Sequence, residues 1–219
     1  MTRIFTRTIT LPIEGHSITI NIPAHPDQIL EKAVQGEANG DHQTDPYWGL
    51  LWDAAPRTAR CILRHAQANG FARGLKTVEL VCGVGLAGIA GLLAGLDVTL
   101  TDLVPSAVEM ACGNAVLNGF SDARGQAVDW RNPPDETYDF IVASDVLYDS
   151  ANHRPLLNTI TRMLAENGVV WIGDAGRANS PLFIHLAEDE GWKVSILDED
   201  QNELLAPTHV RFQLIVLRR

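Results

Sequence analysis

Cysteine is scarce: Cys61, Cys82 and Cys112 are the only three in 219 residues, and none forms a Cys-x-x-Cys pair. An odd, unspaced set points to reduced thiols and a cytoplasmic setting, not to a disulfide framework. The seven histidines show no His-Glu-x-x-His or mixed Cys/His ligand spacing, so no metal site is expected. Positive charge is short, with 17 Lys+Arg against 27 Asp+Glu and a formal charge of −10. Phosphate backbones are bound by clustered Lys and Arg; no dense basic run occurs, so nucleic acid is not an expected partner. No stretch reaches the roughly 18 apolar residues of a membrane span. The opening MTRIFTRTIT lacks the apolar core of a leader. No membrane partner is expected either.

What remains is an ordinary globular composition, 46% hydrophobic and 20% charged. A chain of this length buries roughly 70% of its unfolded surface and needs no metal or disulfide to fold. Residues 4–11 (IFTRTITL) and 17–22 (SITINI) read as two strands around a turn at Gly15. Residues 23–46 read as a helix fragment and a polar loop. The aromatic run PYWGLLW follows at 46–52, and Pro56 opens an amphipathic helix that Gly70 stops. The expected division is an extension over 1–45 and a main domain over 46–219.

From residue 76 strands and helices alternate. KTVELV, DVTLTD, GQAVDW, YDFIVASDV and GVVWIGD read as strands; LAGIAGLLAG, PSAVEMACGNAVLN, RPLLNTITRMLAEN and SPLFIHLAEDEG read as helices. Continuous apolar strands separated by helices predict an α/β fold, a mostly parallel sheet covered on both faces. The last two strands, WKVSILDED and HVRFQLIVLRR, have only a loop between them. They should form an antiparallel C-terminal hairpin at the sheet edge.

The first of these strands runs into Glu79-Leu80-Val81-Cys82-Gly83-Val84-Gly85-Leu86-Ala87-Gly88, whose glycines are spaced GxGxxG. Glycine there lets backbone approach a ligand, and the following helix offers free N–H groups. Asp102 ends the next strand, where a carboxylate can accept from both ribose hydroxyls. Together they predict an adenosine-containing cofactor. Glu79, just before the turn, would repel a pyrophosphate but suits the ammonium of a methionine moiety. Asp129 can accept from an adenine amine, and Trp130 supplies an apolar wall. Glu79 and the closing hairpin both speak against an NAD-dependent oxidoreductase.

The run VELVCGVGLAGIA, followed by TLTD, AVDW and the fourth strand, resembles the class I S-adenosylmethionine-dependent methyltransferases, whose Rossmann-like sheet is doubly wound and has seven strands. The likeness covers roughly residues 45–219. PYWGLLWDAAPRTARCI and DLVPSAVEMACGNAVLNG narrow it to the protein-lysine methyltransferase branch. So does Asp145-Val146-Leu147-Tyr148, which matches that branch's Asp/Glu-x-x-Tyr/Phe motif. The resemblance implies S-adenosylmethionine as cofactor, S-adenosylhomocysteine as product and a protein lysine as acceptor. It implies cofactor contacts at Trp52, Glu79, Gly83, Gly85, Asp102, Trp130 and Ser144, with Asp145 and Tyr148 at the methyl-transfer mouth. Val81 stands where the family usually has glycine, and could crowd the methionine end.

Other readings stay open on the residues alone. A small amine or pyridine nitrogen could be the acceptor, with residues 23–46 as a lid. A methyltransferase-like binding subunit without catalysis is also open, on the strength of Val81. Trp52 could merely pack, Asp129 could cap the loop before Asn132-Pro133-Pro134, and Asp174 reads as a loop anchor or a substrate contact. Asn114 and Asn118, neighbours at i and i+4, read as structural ties. Cys82 reads as a packed residue, and Asp198-Glu199-Asp200 as a solvated face.

Overall fold

The computed structural model describes residues 4–29, 31 and 46–219. The helix fragment, loop and lid read into 23–46 therefore fall mostly outside the described residues. Strands β1 (Thr6–Ile13) and β2 (His16–Pro23) pair antiparallel around Glu14-Gly15. Both turn residues have positive φ, 46° and 79°, as the two-residue turn that matches strand twist requires. Alternation then decides the buried side: Ile18, Ile20 and Ile22 point inward, while Thr19 and Asn21 do not.

The remaining strands are β3 (Lys76–Leu80), β4 (Asp97–Asp102), β5 (Arg124–Ala127), β6 (Tyr138–Ser144), β7 (Leu164–Asp174), β8 (Lys193–Leu197) and β9 (Gln213–Arg218). They form one seven-stranded sheet in the order β5-β4-β3-β6-β7-β9-β8. All neighbours are parallel except the pairs made by β9. Among the described residues five α-helices pack on it: α1 (Ala54–Ala68), α2 (Leu86–Leu93), α3 (Pro105–Leu117), α4 (His153–Met163) and α5 (Ser180–Asp189).

Strand alternation splits the core into two layers. Phe140 and Val142 of β6, with Leu214 and Val216 of β9, face α1, α2, α3 and the hairpin isoleucines. Ile141, Ala143, Ile215 and Leu217 face Leu156, Leu157 and Ile160 of α4 and Phe183 of α5. This is the doubly wound arrangement. The strand order reverses between β3 and β6, and the crevice outside the carboxyl ends at such a switch point is where open α/β sheets bind ligands.

The sequence reading needs three corrections. The GQAVDW strand ends at Ala127, so Asp129 and Trp130 sit in the loop beyond it. The helix read through Asn167 stops at Met163, and β7 begins at Leu164. The C-terminal pair is antiparallel as expected, but β9 inserts between β7 and β8, so of these two strands β8 alone lies at an edge.

Candidate active site

The site is built where strands end. Two of them end in the same way at the switch point. Val81, just after β3, and Asp145, just after β6, both take left-handed backbone, φ 57° and 59°. Aspartate tolerates that region; for a β-branched residue it is a true outlier. Such strain costs about 1–3 kcal/mol and gathers at functional sites.

Beyond Val81 the chain turns tightly, with Gly85 N–H donating to the Cys82 carbonyl at 2.7 Å. Gly83 and Gly85 have φ of 52° and 82°. A Cβ on Gly83 would lie 2.9 Å from the Trp48 carbonyl oxygen, and one on Gly85 would lie 2.8 Å from Ala111 Cβ. The glycines are thus demanded by backbone and packing as well as by any ligand.

Two buried carboxylates lock this turn. Asp102 accepts from Gly83 N–H at 2.9 Å through one oxygen and from Val104 N–H at 3.0 Å through the other. Glu79 accepts from Gly88 N–H at 2.9 Å in the first turn of α2, where helix N–H groups favour negative charge. Burial nevertheless pushes the Glu79 carboxyl up to about 8, against the pull of the Gly88 N–H. Cys82 is buried and its thiol is pushed well up by burial, which removes it as a nucleophile.

The structure brings most of the expected residues together. A hollow of about 600 Å³, open solvent included, is lined by Trp52, Glu79, Gly83, Asp102, Ser144 and Asp145, among others. A second, of about 530 Å³, lies on the Trp130 side. Asp102, Val81 and Tyr148 line both. Ser144 Oγ is buried and has no hydrogen-bond partner among the described residues. Two expected contacts are not brought in. Gly85 lines neither hollow. Asp129 lines neither and is taken bidentately by Arg131, whose guanidinium holds its carboxyl below the usual range.

Outward, a third space is lined by Tyr47, Trp52, Asp145, Tyr148 and Arg177. Asp145 and Tyr148 thus stand where the inner hollow meets this mouth. Tyr148 is 46% exposed. Two of the bonds that fasten the loop between β6 and α4 lie next to it. Asn179 Nδ2 donates to the Tyr148 carbonyl at 2.7 Å, and the His153 ring bonds the Leu147 carbonyl at 3.2 Å.

Arg177 and Tyr47 escaped the sequence reading. Arg177 donates from Nε to Asp145 Oδ1 at 2.8 Å and from Nη2 to Oδ2 at 2.5 Å. Asp174 is fully buried, and its Oδ2 accepts from Gly176 N–H, Arg177 N–H, Ser180 Oγ and Gln213 Nε2. It is the anchor of the loop that presents Arg177. The only signal in the sequence was a lone arginine three residues after a strand-end aspartate. Among the described residues, no group of three or more His, Cys, Asp or Glu side chains is placed to hold a metal ion.

The fold is that of class I methyltransferases. A TehB-like SAM-dependent methyltransferase from Corynebacterium glutamicum matches with a TM-score of 0.62 over 90% of this chain and 98% of that one, at 23% identity. A ribosomal protein L11 methylase from Lactobacillus delbrueckii subsp. bulgaricus matches with a TM-score of 0.61 over 78% and 80%, at 19% identity. At such identities the likeness is one of fold. Residues 40–189 match the lysine methyltransferase family, and the chain belongs to that family. It is 29% identical over 163 residues to an electron transfer flavoprotein beta subunit lysine methyltransferase from Xenopus laevis, covering 72% of this chain and 65% of the relative. It is 32% identical over 133 residues to EEF1A lysine methyltransferase 3 from Mus musculus, covering 58% and 56%. The chain thus spans less than two thirds of the length of these relatives.

Proposed function

We propose that this protein is an S-adenosylmethionine-dependent methyltransferase whose acceptor is the ε-amine of a lysine in a protein. The observation that carries the reading is the glycine turn, braced by Glu79 and Asp102, whose hollow opens past Asp145 and Tyr148 into an aromatic mouth. When bound, S-adenosylmethionine supplies an electrophilic methyl: the acceptor lone pair forms the N–C bond, the C–S pair returns to sulfur, and the extra proton leaves to water.

This chain's residues do the binding and aiming. Asp102, at the end of β4 beside the glycine turn, serves the ribose hydroxyls. Glu79 faces the methionine ammonium and Ser144 Oγ supplies a free hydroxyl. Trp130 and Trp52 are apolar walls on either side. Gly85 acts through the shape of the turn, and Asp129 fastens, through Arg131, the loop that carries Trp130. Asp145 and Tyr148 flank the entering nitrogen, whose alignment is most of what such a displacement requires. Residues 1–45 act as an extension to the methyltransferase domain at 46–219. Three unpaired thiols support a cytoplasmic site of action. No described helix is long and apolar enough to cross a membrane.

The test is a lysate incubated with methyl-labelled S-adenosylmethionine, then separated into protein and low-mass fractions. Label on protein, recovered as methyl-lysine after hydrolysis, is the expected result. Label confined to the low-mass fraction would contradict it and favour a small-molecule acceptor.

A further inference from the structure

The Asp145–Arg177 pair is held from three sides. Arg177 fills both carboxylate oxygens of Asp145. Its guanidinium lies over the Trp52 ring, 5.3 Å from the centroid. Its backbone N–H is fixed 3.1 Å from Asp174 Oδ2. The Asp145 side chain is 2% exposed, that of Arg177 34%. Among the described residues lining the inner hollow and the mouth, Arg177 is the one Lys or Arg. The other charged or titratable groups facing this point are Glu79, Asp102 and Cys82 within, Asp174 behind, and the Tyr47 and Tyr148 phenols at the mouth.

We propose that Arg177 is a positioning residue that sets the charge of the acceptor mouth: by occupying both oxygens of Asp145 it makes the mouth neutral, so that the acceptor nitrogen is admitted as a free amine instead of being held as an ammonium. This rests on the methyl-transfer reading above. An ammonium has no lone pair with which to form the N–C bond, and a lysine amine ordinarily loses its proton only near pH 10.4. A bare, desolvated carboxylate beside it would strengthen its hold on that proton. The guanidinium stays charged at any working pH, and its planar fork matches both carboxylate oxygens at once. Asp145 thereby keeps its place at the mouth as a shaped wall without acting as a cation trap.

Two ligands read this directly, without an acceptor. Sinefungin carries an amine-bearing carbon where S-adenosylmethionine has its methylsulfonium, so its ammonium probes the field at the transfer point; S-adenosylhomocysteine carries no charge there. Both affinities are measured by calorimetry near neutral pH on the full chain, on Arg177→Gln, on Arg177→Lys and on the double variant Asp145→Asn/Arg177→Gln. Arg177→Gln should raise the preference for sinefungin over S-adenosylhomocysteine by about tenfold or more, the scale of a close unpaired charge. Arg177→Lys and the double variant should stay within about threefold of the unaltered chain, because charge balance is restored in both. A purely structural role would weaken both ligands alike and leave the ratio unmoved. Should Arg177→Gln fail to fold by circular dichroism, Arg177→Met carries the same expectation. An unchanged ratio with S-adenosylhomocysteine still bound overturns this inference alone. No binding of S-adenosylhomocysteine by the unaltered chain overturns the cofactor reading beneath it as well.

Discussion

Glu79 and Gly88 meet across the first turn of α2 with no room for a side chain between them. The Gly88 N–H donates to Glu79 Oε2 at 2.9 Å, and a Cβ on Gly88 would lie 2.6 Å from that same oxygen and closer still to Leu100 Cδ2. Gly88→Ala should therefore destabilise the protein by about 1–2 kcal/mol. Overpacking costs about 1–3 kcal/mol, of which better helix propensity returns up to about 1. Urea unfolding should show a lower midpoint at an unchanged slope; a higher midpoint would mean that the helix start has slack.

The Glu79 carboxyl makes stability depend on pH. Its ordinary value is 4.5 and burial raises it to about 8 in the fold. Between those values the folded chain keeps a proton that the unfolded chain has released, so this contribution is full below 4.5 and is lost as pH climbs toward 8. The slope is of order 1 kcal/mol per pH unit. Glu79→Gln keeps an acceptor for Gly88 and has no such proton. Its stability relative to the unaltered chain should rise steadily from pH 5 to 8 in denaturant titrations. Parallel curves would show that Glu79 is ionised throughout.

Val81 holds a left-handed conformation at the seam of the two hollows. Val81→Gly removes a backbone strain of about 1–2 kcal/mol and opens the seam. It should bind S-adenosylhomocysteine at least about threefold more tightly and lose less than about 1 kcal/mol of stability, the strain relief offsetting lost packing and glycine's extra freedom. Weaker binding in Val81→Gly would show that the valine side chain is itself a ligand contact.

Asn114 and Asn118 grip the open edge of β2. Asn118 accepts from Thr19 N–H and donates to its carbonyl; Asn114 does the same at Asn21 and also donates to the Val84 carbonyl in the glycine turn. Either residue changed to Ala should cost about 2–3 kcal/mol in thermal unfolding, two or more part-buried hydrogen bonds each. Only Asn114→Ala should also weaken S-adenosylhomocysteine binding, since only it reaches the turn. Equal binding losses in both would mean that the hairpin as a whole supports the site.

What could be read in advance was local in the chain. The GxGxxG spacing, Asp102 at a strand end and the period of the helices depend on residues near one another, and so do the paired amides of Asn114 and Asn118. What escaped depends on strand order. Arg177 meets Asp145 only because β6 and β7 are neighbours, which brings their ends together across 32 positions. The acidic run at 198–200, read as solvated, is in part a clamp for the same reason: Glu199 pairs with Arg57 and Arg60, and Asp200 with Arg64, all on α1. Asp129 lies in the loop after β5, which ends at Ala127, and there it pairs with Arg131 two positions on.

The most direct trial of the account is calorimetric titration of S-adenosylhomocysteine into the unaltered chain, Asp102→Ala and Asp145→Ala, with NAD as the competing ligand. The unaltered chain should bind S-adenosylhomocysteine and not NAD. Asp102→Ala should lose roughly 1.5–3 kcal/mol of that affinity, the worth of charge-assisted hydrogen bonds, while Asp145→Ala keeps nearly all of it. Tight NAD binding with none for S-adenosylhomocysteine, or full affinity in Asp102→Ala, would contradict it.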